Sequence, residues 1–267
     1  MKEGLTGSNP VKPAAPYLGG KRNLAKEIVQ RINQIDHSIY AEPFVGMGGI
    51  FFRRDMIPRS EVINDLNREI FNFYRILQRH YTAFMDHMRF CVTSRAEFER
   101  LSREDPDTLT EIERAARFLY LQRLAFGGKV SGRNFGVSPD RPARFNITTL
   151  ADDLDALHTR LAGVVLECLS YDEFIRRYDR AGTLFYLDPP YFGCENDYGQ
   201  EMFSRADFQK LAEQLGALKG SFLLSINDVP EIRETFKDFD MMETELNYSV
   251  AKASGKRAQE LIISNGV

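Results

Sequence analysis

The stretch Thr183–Gly193, TLFYLDPPYFG, decides how the rest of the chain is read. An apolar, β-prone run of strand length meets an acid, two prolines and a tyrosine. Pro189 and Pro190 lack a backbone N–H and fix φ, so they end a strand ladder and stiffen the loop that follows. Asp188 then stands at the end of the strand. Side chains at the carboxyl end of a parallel strand face the crevice where α/β proteins bind ligands. Asp188 and a proline carbonyl make a rigid pair of acceptors, and an exocyclic amine is the donor pair that fits it. Tyr191 offers a flat face on which a base can stack, an interaction worth ~1–3 kcal/mol in nucleic-acid complexes. Taken alone, the four residues read equally well as a stiff turn, and the surrounding sequence must decide.

Outward from this strand, short apolar runs alternate with helical patterns. Strands are expected near 39–44, 60–64, 164–169, 183–188, 221–226, 240–247 and 259–264. Helices are expected near 21–34, 67–90, 150–162, 204–218 and 229–236. That rhythm predicts an α/β fold with a mainly parallel sheet covered on both faces. The last two runs lack a helix between them and suit an antiparallel hairpin. About a hundred residues between the second and third strands break the rhythm. They read as helical up to Phe126 and then as the loop-rich GGKVSGRNFGVSPDRPARFN. The expected organisation is a domain of 1–68 and 150–267 with an insert of 69–149.

The second informative stretch is YAEPFVGMGGIFF, a strand followed by a glycine turn and an apolar helix start. Glycines there allow positive φ and close backbone approach to a ligand. The dinucleotide fingerprint GxGxxG is incomplete, because Phe51 stands at the third glycine position. Asp65 follows at the end of the second strand, where a carboxylate commonly takes a ribose hydroxyl. A nucleoside cofactor without a pyrophosphate fits this pattern, S-adenosylmethionine above all. The plain alternative is a tight turn with a surface Asp.

Composition narrows the classes. Hydrophobic residues make up 43% of the 267, enough for a real core, and no apolar run is long enough to span a membrane. Three scattered cysteines and four histidines without ligand spacing argue against a disulfide frame and a catalytic metal, and a cytoplasmic setting is expected. Net charge is −3, but residues 114–144 carry Arg114, Arg117, Arg123, Lys129, Arg133, Arg141 and Arg144 against Asp140 alone. Such clustering marks a candidate nucleic-acid face inside the insert. A solvated helix face is the alternative, most of all for Arg114, Arg117 and Arg123.

The order PYLGGKRNLAKEI, FVGMGG, insert, DPPY, FLLSIND and SGKRAQELIISN resembles the Dam-type adenine-N6 DNA methyltransferases (D12 class, alpha group) across about 16–265. The resemblance implies a Rossmann-like methyltransferase fold with a seven-stranded sheet and S-adenosylmethionine as cofactor. It also implies duplex DNA as substrate and the insert as the target-recognition element. Tyr17, Lys21, Phe44, Gly46, Gly48 and Asp65 match the cofactor-binding positions. Asp188, Pro189, Pro190 and Tyr191 match the catalytic motif, with Asp188 touching both target amine and cofactor. The insert departs most from the family pattern, so base contacts do not carry over. From charge and chemistry, Arg123, Lys129, Arg133, Asn134, Arg141 and Arg144 are the candidate DNA contacts, with Lys252, Lys256 and Arg257 as further backbone contacts. The expected reaction flips an adenine from the duplex and methylates its N6. A monomer is expected, in a phage or restriction–modification setting. Rival readings are cytosine-N4, RNA or protein methylation, and a DNA-binding module without catalysis.

Overall fold

The computed structural model describes residues 4–17, 19–130, 132–136, 144–194, 203–246 and 258–266. Arg141, Lys252, Lys256 and Arg257 fall outside them. A two-residue antiparallel pair, β1 (Thr6–Gly7) and β3 (Met56–Ile57), forms a small appendage that sequence patterning did not register. The main sheet has seven strands. β2 (Ile39–Glu42), β4 (Ser60–Asn64), β5 (Val165–Glu167), β6 (Thr183–Leu187) and β7 (Ser221–Asn227) are parallel. β8 (Asp240–Leu246) and β9 (Ala258–Ser264) are antiparallel to each other, and β9 pairs antiparallel with β7. The order is β5-β4-β2-β6-β7-β9-β8. The chain therefore winds outward from β2 through β4 to β5, then crosses to β6 on β2's other side. This reversal creates a crevice at the carboxyl ends of β2 and β6, the usual ligand position in such sheets.

Strand alternation divides the core into two layers. Tyr40, Leu184, Tyr186, Leu223 and Ile262 point into a cluster with helix α1 (Ala25–Gln34), which buries Ile28, Val29 and Ile32. Their neighbours Ala41, Phe185, Leu187, Leu224 and Ile263 point into the opposite layer. That layer is completed by α7 (Tyr171–Tyr178), α8 (Arg205–Gly216) and α9 (Pro230–Thr235). Period-two apolar strands with both faces covered are what the sequence pattern calls for.

Between β4 and β5 run α2 (Arg68–Arg79), α3 (Tyr81–Met88), α4 (Arg95–Arg103), α5 (Glu111–Leu124) and α6 (Ile147–Leu161). The expected helix over 67–90 is two helices, because His80 leaves helical geometry at φ −128° and ψ 34°. A capping box between Thr110 and Glu113 starts α5, which buries Phe118, Leu119, Tyr120 and Leu121. These side chains join the same apolar cluster as α1 and the sheet. Arg54 and Arg160 both clasp the buried Glu61, at 2.5 and 2.6 Å, and tie the foot of β4 to α6.

Candidate active site

Two carboxylates flank β2 at its carboxyl end. Asp65 follows β4. Its Oδ2 accepts from Gly46 N at 2.9 Å and its Oδ1 from Asn67 N at 2.9 Å. Gly46 sits at φ 51°, and a Cβ there would come within 2.9 Å of the Tyr17 ring. Gly48 sits at φ 70°, and a Cβ there would collide with Phe52 at 2.3 Å. The turn thus needs glycine at both positions. Tyr74 on α2 holds it from below by donating to Gly46 O at 2.9 Å. Asn64 donates to Pro43 O and Leu169 O and accepts from Leu169 N, which sets Phe44 beside Tyr171 and Phe203 with ring centroids 5.8 Å away in each case.

Asp188 follows β6. Its Oδ1 lies 2.9 Å from the Lys21 ammonium and 3.4 Å from the Ser225 hydroxyl. The Lys21 side chain is 1% exposed; its Nζ also donates to Tyr191 Oη at 2.6 Å and lies 3.5 Å from Glu260 Oε2. Tyr191 in turn donates to Glu260 Oε1. Asn227, at the end of β7, accepts from Phe192 N at 2.9 Å and donates to Phe192 O at 3.1 Å. That two-way clasp fixes the loop leaving the two prolines.

Both acids open onto one cavity of 580 Å³, lined also by Tyr17, Lys21, Glu42, Phe44, Tyr171, Pro190 and Phe203. Burial pushes the Asp65 carboxyl up to about 6 against its two backbone hydrogen bonds. Burial likewise pushes Asp188 up to about 6 against the Lys21 charge. Glu42 is the most enclosed of the three. Burial drives it to about 8, although Tyr40 donates to its Oε2 at 2.7 Å.

A family model for the D12 class N6 adenine-specific DNA methyltransferases matches residues 17–250. The chain belongs to that family. Among its relatives, the type II methyltransferase M1.LlaDCHI of Lactococcus lactis subsp. cremoris is 29% identical, over 96% of this chain and 95% of that protein. The type II methyltransferase M.CviBI of Paramecium bursaria Chlorella virus NC1A is 24% identical, over 94% and 96%. The DNA N-6-adenine-methyltransferase of Escherichia phage P1 is 27% identical over 89% of this chain but only 34% of its own length. Adenine-N6 DNA methylation and a methyl donor of the S-adenosylmethionine type follow from this membership, and DNA is the implied substrate. No helix among the described residues is long and apolar enough to cross a membrane.

In this methyltransferase, Tyr17, Lys21, Phe44, Gly46, Asp65, Asp188 and Pro190 meet around the cavity. Gly48, Pro189 and Tyr191 lie outside its lining: Gly48 is turned onto Phe52, and Tyr191 is turned onto Lys21 and Glu260. The basic positions of the insert separate into two sets. Lys129, Asn134 and Arg144 are exposed. Arg123 instead donates to Ala14 O and Arg144 O, and Arg133 to Gln122 Oε1 and Lys129 O. Arg114 pairs with Glu69, and Arg117 donates to Leu101 O, so the insert's basic excess is partly internal. Glu42 and Glu260 escaped sequence reasoning. The i, i+2 spacing of Tyr40 and Glu42 on one strand face was a usable signal for the first. Phe126, 63% exposed beside the glycines of the insert loop, also went unnoticed.

Proposed function

We propose that this enzyme binds S-adenosylmethionine across the cavity and methylates N6 of an adenine flipped out of duplex DNA at Asp188-Pro-Pro-Tyr191. The observation that carries the reading is the shared cavity, with Asp65 and Asp188 on either side of β2. Its volume lies within the range of small-molecule sites, about 300–1,000 Å³. The donor set fits the cofactor. Each Asp65 oxygen already accepts one N–H and keeps a second lone pair for a ribose diol. Phe44, Tyr171 and Phe203 offer an aromatic wall to a planar base. Asp188 supplies negative potential for a cationic group. When bound, S-adenosylmethionine supplies an electrophilic methyl whose C–S bonding pair stays on sulfur.

The chain's own residues do the rest. Asp188 and the Pro189 carbonyl accept the two N6 protons, turning the nitrogen lone pair out of ring conjugation and toward the methyl. Lys21 and Ser225 both engage Asp188 Oδ1, so Oδ2 is the oxygen offered to the amine. Asp188 takes the proton that N6 sheds once the N–C bond has formed. Pro189, itself one of the pair, and Pro190 after it keep its geometry fixed, so orientation is supplied before the target arrives.

The insert 69–149 is the DNA-facing element in this reading. Lys129 and Arg144 contact phosphates, which gives affinity without sequence information. Asn134 is placed to reach a base edge, and Phe126 offers a face for stacking. Arg123 and Arg133, fastened within the chain, shape that surface and contribute positive potential. Arg141 remains a further phosphate contact in this scheme. The enzyme acts as a monomer.

The test is transfer of labelled methyl from S-adenosylmethionine to duplex DNA, followed by nucleoside analysis, with Asp188→Ala as control. N6-methyladenine from the wild type alone is the expected result. Label in RNA or protein instead, or in cytosine, would overturn the substrate assignment.

A further inference from the structure

The Lys21 ammonium raises an electrostatic difficulty. It stands 2.9 Å from the carboxylate that receives the target amine, and that amine becomes cationic as it is methylated. A lone positive charge beside it would oppose the transfer. Lys21 is also almost wholly buried, and a buried ammonium needs an acceptor for each of its three protons. The structure offers two within hydrogen-bond reach, Asp188 Oδ1 at 2.9 Å and Tyr191 Oη at 2.6 Å, and adds Glu260 Oε2 at 3.5 Å as an ion pair. Glu260 is 1% exposed and comes from β9, the antiparallel strand beside β7. It accepts from Tyr191 as well, so two hydrogen bonds and one ion pair close a ring through Lys21, Tyr191 and Glu260.

We propose that Glu260 is a positioning residue for methyl transfer, holding the Lys21 ammonium and the Tyr191 hydroxyl in place and leaving the cluster around Asp188 with a net negative charge. Among the described residues, two carboxylates and one ammonium carry one negative charge between them. Without Glu260 that trio loses its negative excess, the Lys21 ammonium loses an ion-pair partner, and the Tyr191 hydroxyl loses an oxygen to which it donates. The ammonium is then drawn closer to Asp188 and competes with the target amine. This inference rests on the methyl-transfer reading of Asp188.

A double-mutant cycle over Glu260→Gln and Lys21→Gln tests it, with kcat at saturating DNA and cofactor, cofactor Kd and thermal midpoint measured for each protein. Glu260→Gln should lower kcat by about tenfold or more while cofactor Kd moves less than threefold. In the Lys21→Gln background the same change should cost clearly less in kcat than it does in the wild type, because one of its two partners has gone. A merely structural Glu260 would lower stability in both backgrounds and leave kcat of the folded protein alone. Wild-type kcat in folded Glu260→Gln, or losses that multiply in the double variant, would overturn the proposal. If Glu260→Gln does not fold, Glu260→Asp, which keeps the charge on a shorter arm, is put through the same cycle. Its kcat deficit must likewise shrink beside Lys21→Gln, and a deficit of undiminished size overturns the proposal. A wild type that methylates no duplex DNA would remove the reading of the whole site. A wild type that does so while Glu260→Gln matches it would remove only the role of Glu260.

Discussion

Asp65 and Asp188 stand on either side of β2, line one cavity and are each pushed up by burial to about 6. They are held in different ways. Two backbone N–H groups fasten Asp65, and neither can turn away without unmaking the glycine turn or the start of α2. A lysine side chain holds Asp188, on a stem with rotatable bonds. Similar acidity therefore conceals unequal stiffness. In the proposed reading, the carboxylate that only has to hold a ligand is set by fixed dipoles. The one proposed to admit an amine and take up its proton is set by a charge on a rotatable stem.

Several changes break or sharpen this contrast. The largest effect is expected at the yielding end: Asp188→Asn should cut kcat by about 10²–10⁴-fold with cofactor binding and fold retained. Single-turnover kinetics with calorimetric cofactor titration checks this, and turnover near that of the wild type would remove Asp188 from the chemistry. At the rigid end, Asp65→Asn should weaken cofactor binding by about 10–100-fold through loss of a charged acceptor. Its kcat at saturating cofactor should change far less, and the reverse pattern would mean that the two acids have been assigned to the wrong tasks.

In the insert, Lys129→Ala with Arg144→Ala should flatten the dependence of log K on log salt by about one to two units, since each phosphate contact contributes roughly 0.9. Arg123→Ala should lower the melting temperature instead, because its partners lie within the chain.

The smallest effect concerns stability and pH. Asp65, Asp188 and Glu42 all have folded pKa values raised above their ordinary ones. The folded state therefore binds more protons than the unfolded state between about pH 4 and 8, so these groups stabilise the cofactor-free protein at low pH and lose that contribution as pH rises. Between pH 6 and 8 Glu42 dominates the decline, and Glu42→Gln should flatten that part of a denaturation series. An unchanged slope would remove Glu42 from the account.

The sheet was legible because its strands are marked locally. Two prolines end β6, glycines end β2, and alternation assigns each strand residue to one of two layers. The hairpin of β8 and β9 followed from the absence of a helix between them. What stayed hidden depends on distant partners. Glu260 in QELIIS looks like an ordinary polar neighbour of an apolar run, and only the fold brings Lys21 to it. Arg114, Arg117 and Arg123 carry charge that a sequence must leave open to solvent or nucleic acid, whereas Glu69, Leu101 O and Ala14 O claim them here. The break at His80 and the β1–β3 pair rest on single residues and two-residue pairings, too short for any periodicity.

The placement of β9 between β7 and β8 has a consequence for biosynthesis. The ribosome releases the chain in order, at about 5–20 residues per second. Lys21 emerges early, the strand bearing Asp188 much later, and Glu260 later still. The ring joining Lys21, Tyr191 and Glu260 cannot exist on any nascent chain that stops short of β9. A ribosome-bound intermediate can already own its glycine turn, its parallel strands and its two prolines, and still lack the last anchor of its lysine. Completion of the Lys21 cluster is thereby coupled to synthesis of β9.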